Sequence, residues 1–443
     1  LTTRAGVRRR GSSSGGWPKW SLSVETWGDG DDEDRNIEPF GMPIEADWIL
    51  NARYEWDLAL MRNPFVYEVS RQVGRYAPRT KFVEVFADTS GAAISDNDYF
   101  GVYSLIEKIE MDPDRVDIAR IKPWENTAPE ITGGYIFKND RPDPGEPTIN
   151  VSGMGQITLV DPDGGEATGI QRSWLTNHLN EVNRALINDP EGINTTTGLH
   201  FSDYIDVDSW IDHHWLNIMV MNIDWGRHSA FFHKDRNGKI VSGPVWDYDR
   251  ALGCEDVRDN NPLAWEGVVN AVGTVSSKTW FDTRFPWYGN LLGPTQDPTQ
   301  ANYPEIRQRH TDRWFELRKS EFSIENLHTI IDSMAGEIRE SQARNFDRWT
   351  QYPPNGGNFA EPGLSGWEAE VSHMRNWLVA RTEWVDSQYL KPPAFNTPGG
   401  VIAQGFQLVM DSPDGQIFYT VDGSDPRAPG GSPNDKSIPF LGG

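Results

Sequence analysis

An α+β fold is predicted, with a mainly antiparallel sheet near the N-terminus and helices dominating the C-terminal half. Three observations predict it. Segments alternating apolar and polar residues, punctuated by Gly, Ser and Asp, fill the chain as far as Lys138. Apolar residues then recur at helical spacing from Gln171 onward. After Lys391-Pro392-Pro393 the pattern becomes β-like again, with Gly and Pro punctuation. At 443 residues the chain exceeds what one core usually serves, so two or three units are expected.

The elements follow in order. Residues 8–25 run Arg-rich, then Gly/Ser-rich, then alternating, which predicts a strand, a tight loop and a returning strand. The acidic run at residues 29–34 reads as a solvated hairpin tip. Over residues 57–75, Leu58, Met61, Phe65, Val66, Val69 and Val73 fall at helical spacing. Residues 81–87, 99–106 and 133–138 read as strands. Helices are predicted over residues 171–187 and 207–221, the second with Trp210, Ile211, His214, Trp215, Ile218 and Met219 on one side as core, and Asp206 and Asp208 as its N-caps. Asn237-Gly238 supplies the positive φ of a hairpin joining residues 231–234 to 239–241. Residues 304–318, 324–349 and 364–390 complete a helical lobe. The predicted units are therefore residues 1–390, mainly β over 1–165 and mainly helical over 166–390, and a small β module over 391–443.

Composition narrows the function. The chain carries 65 acidic and 41 basic side chains, a formal net charge of −24 that repels phosphate backbones and anionic lipid. Nucleic acid is not an expected partner, and an acidic protein handling a nucleotide must place cations locally. A single cysteine, Cys254, excludes an internal disulfide and a thiolate zinc site. No apolar run reaches the roughly 20 residues of a membrane helix. The 19 tryptophans suit a thick core or surfaces facing carbohydrate or purine. Leu1-Thr2-Thr3 at the start and a turn-like stretch at the end read as a fragment, whose signal peptide would lie outside it.

Several blocks then stand in a telling order. They are Arg10-Gly11-Ser12-Ser13-Ser14 with Pro18-Lys19, Asp47-Trp48-Ile49-Leu50, Leu60-Met61-Arg62-Asn63 and Ala77-Pro78-Arg79. Next comes Tyr99-Phe100-Gly101-Val102-Tyr103-Ser104-Leu105-Ile106-Glu107-Lys108-Ile109, continued by Arg115-Val116. Asn222-Ile223-Asp224 and Pro244-Val245-Trp246-Asp247-Tyr248-Asp249-Arg250-Ala251-Leu252-Gly253 close the series. Together these resemble the CotH (spore coat protein H) kinase-like family. A second stretch, Gly415-Gln416-Ile417-Phe418-Tyr419-Thr420-Val421-Asp422-Gly423-Ser424-Asp425-Pro426, resembles the β-sandwich at the C-terminus of chitobiases and hexosaminidases, truncated here.

The resemblance implies an atypical protein kinase-like fold and transfer of the ATP γ-phosphate, with Mg²⁺, to Ser or Thr of a surface, coat or matrix protein. It gives Asp247 the metal-binding part with Asp249 assisting, and makes Asp224 the candidate catalytic base. One residue apart on an extended segment, Asp247 and Asp249 would point the same way and share a cation. The nucleotide-binding set is Arg10, Gly11, Ser12, Ser13, Lys19, Glu107 and Trp246: the Gly/Ser loop offers N–H groups, Lys19 a point charge, and Glu107 either a partner for Lys19 or a place near metal. The accessory module implies an extracellular or cell-surface bacterial setting, where polysaccharide or matrix is a further partner.

One departure cuts against activity. Kinase-like loops carry an Asn about five residues after the catalytic Asp, and this chain has Arg227-His228-Ser229-Ala230. The alternative reading is therefore a catalytically degenerate surface or polysaccharide-associated protein on the same scaffold. A third, a metallohydrolase, is prompted by His213, His214, His228 and His233; adjacent helical residues point about 100° apart, so His213 and His214 do not easily share one ion.

Overall fold

The structure is a computed structural model that describes residues 2–12, 14–30, 33–143, 145–163, 165–226, 228–254, 258–265, 286–293 and 297–441. It is α+β. The first sheet comprises β1 (Arg4–Arg10), β2 (Ser21–Trp27), β3 (Asp47–Ala52), β4 (Thr80–Phe86) and β5 (Tyr99–Glu107), in spatial order β1-β2-β3-β5-β4. The second comprises β6 (Tyr135–Asn139), β7 (Thr148–Val151), β8 (Gly155–Asp161), β9 (Ala230–Lys234) and β10 (Ile240–Ser242), in order β10-β9-β6-β8-β7. Every pairing in both sheets is antiparallel.

The β1–β2 and β9–β10 hairpins match the sequence reading, and Asn237 takes the positive φ its turn requires, 54°. Three strands, β3, β7 and β8, were not anticipated from the sequence. β3 buries Trp48, Ile49 and Ala52 without a period of two, whereas β7 alternates, burying Ile149 and Val151, but is only four residues long before Ser152-Gly153-Met154 turns the chain into β8. The second sheet also draws β9 and β10 from beyond residue 166, so it is built from distant parts of the chain.

Among the described residues the α-helices are α1 (Arg62–Gln72), α2 (Gly169–Asn188), α3 (Phe201–Tyr204), α4 (Val207–Val220), α5 (Pro286–Leu292), α6 (Pro304–Leu317), α7 (Ile324–Ile338), α8 (Ser341–Arg348) and α9 (Gly366–Asp386). α1 starts five residues later than its apolar pattern. The Asp57 carboxylate is engaged by Arg53 and Arg62, and Leu60 has φ 65°, a left-handed turn that no helix continues. Residues 324–349, expected as one helix, form two. The second turns onto β5, where Asn345 accepts from the Val102 N–H at 3.1 Å and Trp349 Nε1 donates to Phe100 O at 2.8 Å. Asp206 caps α4 through Ser209 N, whereas Asp208 pairs with Arg309 on α6 and caps nothing.

α4 is the core helix. Trp210 and Trp215 are 1 % and 0 % exposed, and Trp215 packs on Trp314 of α6 with ring centroids 4.5 Å apart. Burial of such side chains stabilises by about 1.5–3 kcal/mol each. Asp212 of α4 ties the bundle by charge, accepting from Arg75 Nε at 2.7 Å and Arg313 Nε at 2.6 Å. No helix among the described residues is long and apolar enough to cross a membrane. After α9 come the two-residue strands β11 (Ala394–Phe395), β12 (Met410–Asp411), β13 (Phe418–Tyr419) and β14 (Ile438–Pro439), paired β11–β12 and β13–β14. Of the alternating triplet, Ile417 is buried, Tyr419 half-buried and Val421 exposed. Arg427 fastens this segment to α6 by a two-pronged pair with Asp312, at 2.7 and 2.8 Å.

The core also holds histidines. His214 Nδ1 lies 2.7 Å from His310 Nε2, and His213 Nδ1 lies 2.6 Å from Ser242 Oγ. Burial lowers the pKa of His213 and His310 to about 3, and that of His214 well below its usual value, with the neighbouring histidines adding to the shift. A depressed histidine leaves stability intact above its unfolded pKa near 6.5 and removes it as the pH falls toward the folded value. One such group costs about 1.4 kcal/mol between pH 7.5 and 5.5. His310→Gln is therefore expected to lose about that much less stability than the parent across this interval in urea unfolding, carboxylates common to both proteins cancelling. Parallel pH profiles for the two proteins would refute the assignment.

Candidate functional site

The site begins with the first two turns of α1. Arg62 is fully buried; its Nε donates to Ala251 O at 2.8 Å and its Nη1 to Asp57 Oδ1 at 3.0 Å. One residue on, Asn63 Oδ1 accepts from the Tyr248 N–H, and Tyr67 OH accepts from the Asp247 N–H at 3.3 Å. α1 thereby holds three backbone groups of residues 247–251. Asp247 sits at φ 66° and Leu252 at φ 62°, the latter donating to Val220 O at 2.8 Å. Non-glycine residues keep such angles only where surrounding contacts over-determine them. The extended segment expected to align Asp247 with Asp249 is therefore absent. A wound loop, not strand alternation, brings both carboxylates to the same cleft.

That cleft has a volume of about 480 Å³. Its walls are the turn after β1, the end of β6, Asp224, His228 and Ser229, and the loop at residues 246–250, and among the sequence-predicted residues Arg10, Gly11, Ser12, Asp224, Trp246, Asp247 and Asp249 line it. Gly11 has φ 106°, and a Cβ there would come 2.3 Å from Ser14 Oγ, so the tight turn requires glycine. Ser12 Oγ accepts from Arg141 at 2.5 Å. The Arg10 guanidinium stands 5.3 Å from the ring centroid of Trp246, which stacks on Tyr67 at 6.0 Å. Asp224 N donates to Asn222 Oδ1 at 3.1 Å, and the Asp224 carboxylate lies 3.8 Å from Arg250, whose guanidinium covers Trp56 at 4.4 Å. A second chamber of about 410 Å³ shares Arg10, Lys138, Asp143, Phe231 and Trp246 with the first.

The carboxylates oppose one another. Burial, then the charges of Asp224 and Asp140, push the Asp247 carboxyl up to about 6, against the Ser229 hydrogen bond and Arg10. Asp249 is driven well above the usual range by burial and then by Asp247, with Arg53 opposing. Asp140 is raised by burial as well. Ser229, at φ 58°, donates its hydroxyl to Asp247 Oδ2 at 3.0 Å, and His228 Nδ1 lies 3.7 Å from Asp140. Arg10 Nη1 and Asn51 Oδ1, both on the cleft wall, are buried without a hydrogen-bond partner.

Two predicted residues are elsewhere, and Ser13 lies outside the described residues. Lys19 is fully buried and turned toward α8. Its ammonium donates to Val102 O at 2.7 Å, Asn345 Oδ1 at 2.8 Å and Arg53 O at 3.0 Å, which exhausts its three donors. Burial and the charge of Arg53 hold its pKa well down. Glu107 does not meet it. Buried at the end of β5, Glu107 accepts from Arg79 Nη1 and the Arg79 N–H, both at 2.8 Å, and lines neither chamber. The prompted histidines are also dispersed, since His213 and His214 belong to the core while His228 lines the cleft. Among the described residues, no three His, Cys, Asp or Glu side chains form a metal-holding group.

The sequence reading missed the end of β6, which delivers Lys138, Asp140 and Arg141 to the cleft, as well as Asn51, Asn63 and Arg250. A signal was present: the apolar Tyr135-Ile136-Phe137 gives way at once to Lys138-Asn139-Asp140-Arg141 as the strand passes into a loop, and loops on a rigid scaffold carry binding residues disproportionately.

Antiparallel sheets thus wall a cleft in which carboxylates and guanidinium groups face each other across a glycine turn. The chain belongs to the family described as CotH kinase protein, whose sequence model matches residues 7–385. A search of curated proteins found no match.

The hold of α1 on the loop is testable. Asn63→Ala leaves the buried Tyr248 N–H without its acceptor and is expected to cost about 1–3 kcal/mol, read as a lower urea midpoint. An unchanged midpoint would show that α1 does not secure the Asp247 loop.

Proposed function

We propose that this protein is an atypical protein kinase-like phosphotransferase that moves the γ-phosphate of ATP onto Ser or Thr of a surface, coat or matrix protein. One observation carries the reading: Asp224, Asp247 and Asp249 share a cleft with Arg10 and the Gly11-Ser12 turn. The donor set suits Mg²⁺, which takes oxygen ligands and commonly binds through one or two carboxylates plus substrate phosphates. Asp247 and Asp249 would hold it, and their mutual repulsion is what a cation relieves. When bound, the ion supplies neutralisation of phosphate charge. Arg10, with an unpaired buried N–H, and the N–H groups of the glycine turn receive phosphate oxygens. Asp224 orients the acceptor hydroxyl and takes its proton as the oxygen attacks the γ-phosphorus, while the bond from that phosphorus to the ADP oxygen breaks. Arg250 keeps the Asp224 carboxylate in place.

Ser229 favours a second reading, a scaffold without turnover that serves as a surface or polysaccharide-associated protein. Its hydroxyl occupies Asp247 Oδ2, where an Asn would offer a metal-ligating oxygen. Transfer of labelled phosphate separates the two. We further propose residues 391–443 as part of a chitobiase-type module beside a kinase-like body over residues 1–390, in an extracellular or cell-surface protein; the motif from Gly415 to Pro426 supports this.

Mg²⁺-dependent phosphate transfer to a Ser/Thr protein acceptor is expected to fall by about 10²-fold or more in Asp224→Asn and in Asp247→Asn. Asp247→Asn is also expected to abolish the Mg²⁺ dependence of nucleotide binding. Persistence of transfer in both variants would remove the proposal, and its absence in the parent beside intact ATP binding would favour the second reading.

A further inference from the structure

Lys138 occupies a costly position for a cation. It lies on β6, the middle strand of the second sheet, in register with Phe231 of β9 and Thr158 of β8, and its side chain is only 7 % exposed. Its sequence neighbours Ile136 and Phe137 are wholly buried and apolar. An ammonium withdrawn from water needs a compensating partner, and an apolar residue of similar volume would serve the fold as well or better.

The partner is Glu146, whose carboxylate oxygens lie 2.9 and 3.0 Å from Lys138 Nζ. Glu146 is itself fixed by the loop, accepting from the Asp143 N–H at 2.7 Å, and Asp143 adds a second carboxylate 3.8 Å from the ammonium. Lys138 also lines both chambers of the cleft, on the wall they share, with its ammonium 5.9 Å from the Phe231 ring centroid. Glu146 thus fixes the Lys138 ammonium on the wall that a ligand reaching from one chamber to the other must pass.

We propose that Lys138, oriented by Glu146, binds the phosphate chain of the nucleotide at the junction of the two chambers, the part that sequence alone gave to Lys19. The assignment rests on the proposed function. Lys19 has no donor left for a ligand, whereas Lys138 meets the cavity and is held by acceptors that a phosphate oxygen can join.

The test is calorimetric titration of the full chain with ATP in Mg²⁺. Lys138→Met is expected to weaken ATP binding by about tenfold or more, and Lys138→Arg to keep it within about threefold of the parent, as the loss and the retention of one charge-assisted contact require. Parent-like affinity in Lys138→Met would overturn the assignment, as would equal weakening in both variants, which is the signature of a packing role. Should Lys138→Met fail to fold by circular dichroism, Glu146→Gln decides: a loss of about threefold or more supports the assignment, and parent-like affinity overturns it. A parent protein that binds no ATP overturns the proposed function and this assignment with it. Parent binding with an indifferent Lys138 overturns this assignment alone.

Discussion

The cleft depends on a buried charge, that of Asp57. Its carboxylate takes Arg53 Nε at 2.9 Å, the Arg62 N–H at 2.9 Å and Arg62 Nη1 at 3.0 Å, so the end of β3 and the start of α1 share one counter-charge. With its charge paired to Asp57, Arg62 also donates to Ala251 O. Removing one member of such a pair leaves an unpaired buried charge, at about 3–5 kcal/mol. The loss would fall on the loop that carries Asp247 and Asp249. Its left-handed turn at Asp247 has no local justification and survives through the three contacts from α1.

An acidic chain has here solved the problem of presenting positive charge. Against a net charge of −24, the cleft gathers Arg10, Lys138, Arg141 and Arg250, each steadied by an aromatic ring, a serine or a carboxylate. The carboxylates opposite are close enough to raise one another's proton affinity, so the two signs are arranged by position within a single cavity. Global composition argues against polyanions as partners, and local placement reverses that argument over a span of a few residues.

The legible parts of the fold were those with a strong local period. The long aromatic and apolar run of β5 and the helical apolar spacing of α4 announced themselves, and Asn237-Gly238 marked its hairpin. β3 did not, because a strand covered on both faces loses its alternation. The break between α7 and α8 was hidden because it is imposed by docking of Asn345 and Trp349 on β5, far away in sequence. Of the residues picked from motif blocks, Asp224, Asp247 and the Gly11 turn line the cleft, while Lys19 and Glu107 lie away from it for one reason. A motif specifies residue types, and which way a buried side chain turns is set by acceptors such as Val102 O and Asn345, which lie far along the chain from Lys19. Lys138 went unremarked because a lysine within an apolar strand reads as an interruption until the cavity beside it is seen.

The second sheet takes β6, β7 and β8 from one stretch of chain and β9 and β10 from another, with α2, α3 and α4 between them. During synthesis β6 therefore waits with one edge unpaired until residues 230–234 emerge, and an apolar edge left open is a site for pairing with other chains. The wall of the cleft is thus completed only after both stretches of chain are present. A polypeptide cut between β8 and β9 would keep the glycine turn and most of the strands, yet would be prone to aggregate along the strand that carries Lys138.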